Sequence, residues 1–199
     1  IIKGSLLFNF FLIFCFFVSL KEWIKISPNI SFQFFGFFFL IISFFTVYSL
    51  RNDNPYNYEF FLVIILICIL TDVGGYAFGK FFKGPKLTKI SPNKTYAGSI
   101  GGFILSLVSV LIYSKYISLE PWVVSSIAEK FNNNFDLSFL IFILLISLIS
   151  QIGDLIISYF KRLAKIKDTG KIIPGHGGIL DRMDGLIFAI PFAYLFIIL

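Results

Sequence analysis

The chain is poor in charge, in cysteine and in histidine. Only 14% of its 199 residues are charged, and it holds two cysteines and one histidine. A soluble globular domain would carry charge on about a quarter of its residues. Cys15 and Cys68 lie in apolar runs without a CxxC partner, so neither a disulfide framework nor a thiolate metal site is expected. A single histidine does not make a zinc site either.

Most of the chain consists of hydrophobic residues. Hydrophobic residues make up 57% of the sequence, Phe alone supplies 28 residues, and the mean hydropathy is +0.89. A membrane-crossing helix needs about 20 apolar residues. We therefore predict an all-α fold, a polytopic integral membrane bundle of about six transmembrane helices. The six predicted spans are 5–20, 30–50, 58–79, 96–117, 137–160 and 184–199.

The basic residues are distributed unevenly between the two sides of such a bundle. Thirteen of the 17 fall in the three loops that follow spans 1, 3 and 5, and the positive-inside rule makes these loops cytoplasmic. The two richest loops, 80–95 and 161–183, then share one face, where they can form one site. We divide the chain into N-terminal hydrophobic spans, 1–70, and a catalytic membrane domain, 71–199, that carries both loops. Nucleic acid is not expected as a partner, because the cations lie in short loops between spans.

Ionisable residues concentrate in the stretch 153–185. Such groups are costly near a bilayer and typically mark a functional site. Asp154 lies within span 5, and Ser158, Lys161 and Arg162 follow near one face at helical spacing. A carboxylate with a hydroxyl and cations beyond it suits a metal–phosphate complex. The alternative is a solvated helix end whose cations touch lipid phosphates.

Two further acids, Asp181 and Asp184, stand three residues apart at the head of span 6. If that segment is helical, both carboxylates point the same way. Carboxylates with substrate phosphates and water are the usual Mg²⁺ environment. Helix capping explains one acid, but it explains less well three acids, Asp154 included, at one membrane edge.

The segment 174–178 reads Pro-Gly-His-Gly-Gly and cannot form a regular helix. We predict a tight turn whose exposed N–H groups can cradle an anion. His176 on its own is more often structural than catalytic. Between glycines it becomes a candidate for contacting a phosphate or for positioning the turn.

A second polar cluster covers residues 72–98. Gly75 and Gly79 in span 3 allow close helix packing. The following loop alternates lysines with Gly and Pro and ends in Ser-Pro-Asn-Lys-Thr at 91–95. We predict that Lys94, held in this tight turn, contacts a triphosphate. Lys83 and Lys86 are explained better by topology and by attraction to anionic lipid.

At these residues the sequence resembles the phosphatidate cytidylyltransferase family, also called the CDP-diacylglycerol synthases. The family signature S-x-x-K-R-x-x-x-x-K-D-x-G-x-x-x-P-G-H-G-G-x-x-D-R-x-D is filled at every defined position between Ser158 and Asp184. The upstream D-x-x-x-Y-x-x-G-K pattern and S-P-x-K-T turn also match, so the resemblance covers about 72–199. There are two departures: Tyr96-Ala97 replaces the usual Trp-Glu, and Gly185 stands where the family often has Ser.

The resemblance implies that CTP and phosphatidate react to give CDP-diacylglycerol and pyrophosphate. It also implies Mg²⁺ or a similar divalent cation, a homodimer, and a bacterial-type inner membrane with the site facing the cytoplasm. Together with the chemistry of the residues, it indicates as catalytic Asp154, Lys161, Arg162, Asp181 and Arg182. The expected substrate-binding residues are Lys94, Thr95, Ser158, Lys167, His176, Gly177 and Gly178. The expected metal ligands are Asp154, Asp181, Asp184 and Asp168.

Three alternatives stay open at this point. One is another membrane enzyme of nucleotide–lipid chemistry, such as a polyprenol kinase or a CTP transferase with a different lipid acceptor. The second is a transporter, which would place charges near mid-membrane and show repeats. The third is an inactive homologue, suggested by Tyr96-Ala97.

Overall fold

The structure is a computed structural model that describes residues 6–52, 55–112, 137–172 and 177–198. Within these ranges the chain is mostly helical, and an isolated bridge of extended backbone joins Lys86 and Thr95. The described helices are α1 (Leu6–Ile26), α2 (Ile30–Asn52), α3 (Pro55–Phe82), α4 (Tyr96–Ile112), α5 (Leu137–Leu163), α6 (Leu180–Met183) and α7 (Leu186–Ile198).

Four of these helices are long and apolar enough to cross a membrane. They are Leu6–Ile26, Ile30–Arg51, Phe60–Phe82 and Phe139–Leu163. Two shorter apolar helices, Tyr96–Ser109 and Leu186–Phe196, coincide with the fourth and sixth predicted spans. The prediction of an all-α polytopic membrane protein is therefore confirmed.

Helix α1 continues past its predicted end at residue 20 and reaches Ile26. The prediction was wrong there because Lys21, Glu22 and Lys25 look like loop residues. In the structure Glu22 and Trp23 are instead buried. The last turns of α1 thus belong to the packed bundle.

Helices α3 and α4 approach each other at glycines. A Cβ added to Gly74 would meet the backbone of Gly101, and one added to Gly98 would lie 2.6 Å from the carbonyl oxygen of Gly75. At Gly75 itself a Cβ would have only an ordinary contact of 3.9 Å. Close packing was therefore predicted for the right helix. Its tightest position on α3, however, is Gly74, one residue before the predicted Gly75.

A chain of polar side chains joins three helices within the apolar bundle. Thr71 on α3 donates a hydrogen bond to Ser147 on α5 (2.8 Å), and Ser99 on α4 donates one to Gln151 on α5 (2.6 Å). In apolar surroundings a polar group needs such a partner, because water is absent. These bonds fix α3 and α4 against α5, just below the charged residues.

Two hydrophobic clusters form the core. The larger one joins α2, α3, α5 and α7 through residues such as Leu50, Ile64, Phe142 and Ala193. The second joins α1 and α2 to α5, α6 and α7, with Leu180 of α6 fully buried in it. The second cluster therefore holds the end of α1 against the segment that carries the signature.

We expect Gly74→Ala to lower the thermal midpoint of the protein in detergent, because a new methyl group would collide with the backbone of α4. Overpacking of this kind costs about 1–3 kcal/mol. The neighbouring Gly75→Ala is the matched control and should shift the midpoint little. Equal midpoints for the two variants would contradict the close approach at Gly74.

Candidate active site

A cavity of about 390 Å³ lies where the two basic loops meet the bundle. Residues of α3, α4 and α5, of the loop 83–95, and of the segment from α6 to α7 line it. Its charged lining residues are Asp72, Lys94, Asp154, Asp181 and Asp184. The structure thus brings three of the predicted acids and the predicted lysine to one place. Asp72 joins them from α3.

Lys94 and Asp154 form an ion pair across the cavity. Lys94 follows a tight turn, in which its amide donates to the carbonyl of Ser91 (3.0 Å), while its own carbonyl accepts from the amide of Leu87 (2.8 Å). Ser158, one helical turn beyond Asp154, donates to Asp154 Oδ1 at 3.4 Å. The ion pair therefore joins the first basic loop to α5.

Asp184 lies beside Asp154, close enough for the two carboxyl groups to interact electrostatically. The amide of Gly185 donates to Asp184 Oδ1 at 2.9 Å. Burial raises the pKa of Asp184, and the neighbouring charge of Asp154 raises it further. Two carboxylates in one confined place repel each other. The pair therefore favours a bound cation.

Asp181 has a different environment, formed by protein donors. Its Oδ2 accepts hydrogen bonds from the amides of Thr169 (2.8 Å) and Gly178 (2.9 Å), and its Oδ1 pairs with Lys161 at 2.9 Å. Burial alone would raise the pKa of Asp181. The hydrogen bonds from Gly178, Lys161 and Thr169 outweigh burial and hold the pKa below its usual value.

The expectation that Asp181 and Asp184 point the same way is not met, because the segment is not one continuous helix. Helix α6 ends at Met183, and α7 begins at Leu186. Asp181 faces the loop around Thr169, whereas Asp184 faces Asp154. Both nevertheless line the cavity.

The donor set suits Mg²⁺ only in combination with a substrate. Within the described ranges, no three His, Cys, Asp or Glu side chains come together as a metal site. Asp154 and Asp184 form a pair of hard oxygen ligands, and Mg²⁺ commonly binds one or two carboxylates together with phosphates and water. For Asp181 a ligand role requires Oδ1 to exchange Lys161 for the ion, so that role stays a prediction.

The two cations at the end of α5 connect the loops. Lys161 pairs with Asp181, and Arg162 Nε donates to the carbonyl of Ile90 at 3.3 Å. The helix then ends in a turn at Lys165, whose φ is +56°. The amide of Ile166 donates back to the carbonyl of Lys161 (2.9 Å), which satisfies an orphan carbonyl of the helix end.

Thr95 lines the cavity and also starts α4. Its hydroxyl accepts a hydrogen bond from the amide of Gly98 at 3.0 Å, the usual geometry of a helix N-cap. Tyr96 and Ala97, which replace the expected Trp-Glu, open α4 directly after it. The departure from the family pattern therefore falls beside the cavity.

Eight of the predicted residues that the structure describes lie outside the cavity lining: Ser158, Lys161, Arg162, Lys167, Asp168, Gly177, Gly178 and Arg182. Lys167, Asp168 and Arg182 are exposed, and Gly177 adopts a φ of +86° that glycine favours. His176 lies outside the described residues. The metal role of Asp168 and the substrate role of Lys167 stay predictions.

Sequence reasoning missed Glu22, which extends from α1 and contacts Thr169, Ile179 and Leu180 in the signature loop that joins α5 to α6. Its only signal was a carboxylate next to Trp23 at the end of an apolar run. A second missed feature is Ser150, whose hydroxyl occupies the space that a Cβ at Gly185 would need. This packing accounts for the glycine at 185, where the family often has Ser.

The fold and the cavity define a class of protein: a polytopic membrane protein with a charged cavity at one end of its bundle. The model of the Cytidylyltransferase family matches residues 1–199, and the chain belongs to that family. It is 36% identical over 163 residues to a phosphatidate cytidylyltransferase of Brucella suis, covering 81% of this chain and 55% of that protein.

Two staphylococcal relatives carry the same name. The chain is 40% identical over 151 residues to the phosphatidate cytidylyltransferase of Staphylococcus haemolyticus, covering 75% of this chain and 52% of that protein. It is 39% identical over 153 residues to that of Staphylococcus aureus, with the same two coverages. The chain spans about half the length of the curated relatives it matches.

We expect Asp184→Asn to raise the thermal midpoint of the metal-free protein near neutral pH. The change keeps the side-chain volume and removes one of two carboxylates that lie close together. Replacing a destabilising active-site residue commonly raises stability at the cost of activity. A gain of ~1 kcal/mol would raise the midpoint by about 2–4 °C in a chain of this size. Asp168→Asn, an exposed carboxylate, is the control and should leave the midpoint unchanged. An unchanged or lower midpoint for Asp184→Asn would show that Asp154 and Asp184 do not repel each other.

Proposed function

We propose that this protein transfers the cytidylyl group of CTP to phosphatidate, giving CDP-diacylglycerol and pyrophosphate for phospholipid synthesis. The observation that carries the proposal is the charged cavity. It combines a carboxylate pair, Asp154 and Asp184, with Lys94 at the membrane edge. The names of the relatives support the same reaction. One substrate is soluble and the other has its head group at the membrane surface, so a polar site at the end of a membrane bundle is accessible to both.

The bond changes are simple. An oxygen of the lipid phosphate attacks the α-phosphorus of CTP, and the bond from that phosphorus to the bridging oxygen of the β-phosphate breaks. Pyrophosphate leaves with the electron pair. A phosphate monoester is largely ionised near neutral pH, because its second pKa is about 6. No strong general base is therefore required from the protein.

Electrostatics and positioning are the main tasks of the protein, as in other phosphoryl transfers. Both substrates are anionic and repel each other. Lys94 in the cavity can neutralise a phosphate oxygen once a phosphate replaces Asp154 as its partner. Lys161, held beside the cavity by Asp181, adds further positive charge. Arg162 and Arg182 are exposed outside the cavity lining, and their guanidinium groups suit bidentate phosphate contacts.

Mg²⁺ or a similar divalent cation is the proposed cofactor, with Asp154 and Asp184 as its protein ligands. When bound, it would supply positive charge that stabilises the negative charge developing on the leaving oxygens. Asp181 and Asp168 were predicted as further ligands. In the structure Asp181 pairs with Lys161 and accepts a hydrogen bond from the amide of Thr169, so it orients the Lys161 side chain.

The proposal includes an orientation and a set of partners. The two basic loops lie on the cytoplasmic side of a bacterial-type inner membrane, because 13 of the 17 basic residues fall on that side. CTP, phosphatidate and membrane lipid are the partners, and nucleic acid is not. A homodimer is proposed from family resemblance alone.

The test is a transfer assay with purified protein in detergent, phosphatidate, Mg²⁺ and CTP labelled in the cytidine. We expect the label to move into the organic phase and EDTA to stop the transfer. Absence of transfer from folded protein that still binds CTP would contradict phosphatidate as the acceptor. It would favour either a different lipid or an inactive homologue.

We expect Asp181→Asn to leave the bundle folded and to lower the transfer rate by about 100-fold or more. The amide cannot hold the charge of Lys161, and small misplacements of positioned groups have effects of this size. The rate and the far-UV circular dichroism are measured together. Normal activity of the Asp181→Asn protein at ordinary Mg²⁺ would show that Asp181 is not needed for the reaction.

We expect Lys94→Met to raise the KM for CTP by about tenfold or more, equivalent to ~1.4 kcal/mol of binding. Lys86→Met is the matched control in the same loop. Lys86 is exposed and lies outside the cavity lining, so its replacement should be mild. A collapse of CTP affinity in the Lys86 variant would show that the outer part of the loop binds the nucleotide.

A further inference from the structure

The carboxylate of Glu22 is buried among the backbone amides of the signature loop. Its side chain extends from the last turns of α1, and the residue is only 4% exposed. Oε1 accepts from the amide of Ile179 at 3.2 Å, and Oε2 accepts from the amide of Leu180 at 2.8 Å. The Thr169 hydroxyl lies 2.9 Å from the same Oε2. A buried carboxylate is costly unless it is hydrogen-bonded in this way.

The same loop is held from its other side by Asp181. The amides of Thr169 and Gly178 donate to Asp181 Oδ2, and the Thr169 hydroxyl lies 3.0 Å from that atom. The single hydroxyl proton of Thr169 can be donated to only one carboxylate at a time. Glu22 and Asp181 therefore share the loop, and a shift of the loop at Glu22 would move the donors of Asp181.

Two glycines of the signature make room for Glu22. A Cβ added to Gly170 or to Gly178 would collide with the Glu22 carboxylate oxygens. A second residue of α1, Lys25, donates to the carbonyl of Thr169 at 3.1 Å. The end of α1 thus fits into the loop through steric matching as well as through hydrogen bonds.

We propose that Glu22 is a positioning residue for the transfer reaction: it fixes Thr169 and the backbone of Ile179 and Leu180 so that Asp181 holds Lys161 at the cavity. The inference rests on the proposed function, because it assigns Glu22 a role in that reaction. Glu22 does not line the cavity and needs no contact with a substrate. Through Glu22, helix α1 therefore helps to arrange the site, although it lies outside the signature.

The kinetic test compares Glu22→Ala and Glu22→Gln with the wild type. We expect kcat to fall about 100-fold in the alanine variant, which loses every acceptor, while the KM for phosphatidate stays within about twofold. Glutamine retains one carbonyl oxygen for Leu180 and Thr169, so it should restore part of kcat. Ser19→Ala is the control: Ser19 is buried one turn earlier on α1, no hydrogen-bond partner of its hydroxyl is found in the described structure, and kcat should not change.

Hydrogen exchange at the amides of Thr169, Gly178, Ile179 and Leu180 supplies a readout that does not depend on activity. Faster exchange in Glu22→Gln and Glu22→Ala, with Ser19→Ala like the wild type, supports the inference. Unchanged exchange together with unchanged kcat overturns it. If the wild type itself transfers nothing, the proposed function fails, and exchange alone decides whether Glu22 holds the loop.

A substitution pair tests the steric fit. Gly170→Ala should lower the thermal midpoint strongly in the wild type and much less in a Glu22→Ala background, where the carboxylate no longer fills the space. Contacting residues show such non-additivity in double-mutant cycles. Equal shifts in the two backgrounds would mean that Gly170 does not accommodate Glu22.

Discussion

The site depends on two carboxylates held next to each other at the edge of an apolar bundle. Asp154 belongs to α5 and Asp184 to the break between α6 and α7, and burial together with the charge of Asp154 raises the pKa of Asp184. Lys94 offsets part of the negative charge through its ion pair with Asp154. The cavity therefore holds excess negative charge, which a divalent ion that binds together with a nucleotide can neutralise.

Backbone contacts position this charge. The glycine contacts between α3 and α4 bring the start of α4, and with it the turn of Lys94, over α5. Glu22 and Asp181 together hold Thr169 and the backbone amides of residues 178–180. The bond from Arg162 to the carbonyl of Ile90 joins the two loops. Each loop is thus anchored to a helix that is itself packed in the membrane core.

Hydropathy was enough to predict the helices, and motif spacing was enough to predict that Lys94, Asp154, Asp181 and Asp184 meet. Gly75 and Gly79 do lie against Gly98 of α4 as predicted, but helix rotation was not predictable, which is why the tightest position, Gly74, was not predicted. The break after α6 was not predictable either, because Asp181-Arg182-Met183-Asp184 carries no strong helix breaker before Gly185. Glu22 was missed for a physical reason: a charge at the end of an apolar run resembles a loop residue until its buried partners are known.

The most direct measurement is to locate a divalent ion bound together with a nucleotide. Crystals of the protein grown with Mn²⁺ and a non-hydrolysable CTP analogue would show the ion by its anomalous scattering. The account predicts an ion bridging Asp154 and Asp184 to the triphosphate, with Lys161 still near Asp181. An ion bound at Asp168 or elsewhere, with the Asp154–Asp184 pair left without it, would contradict the central claim.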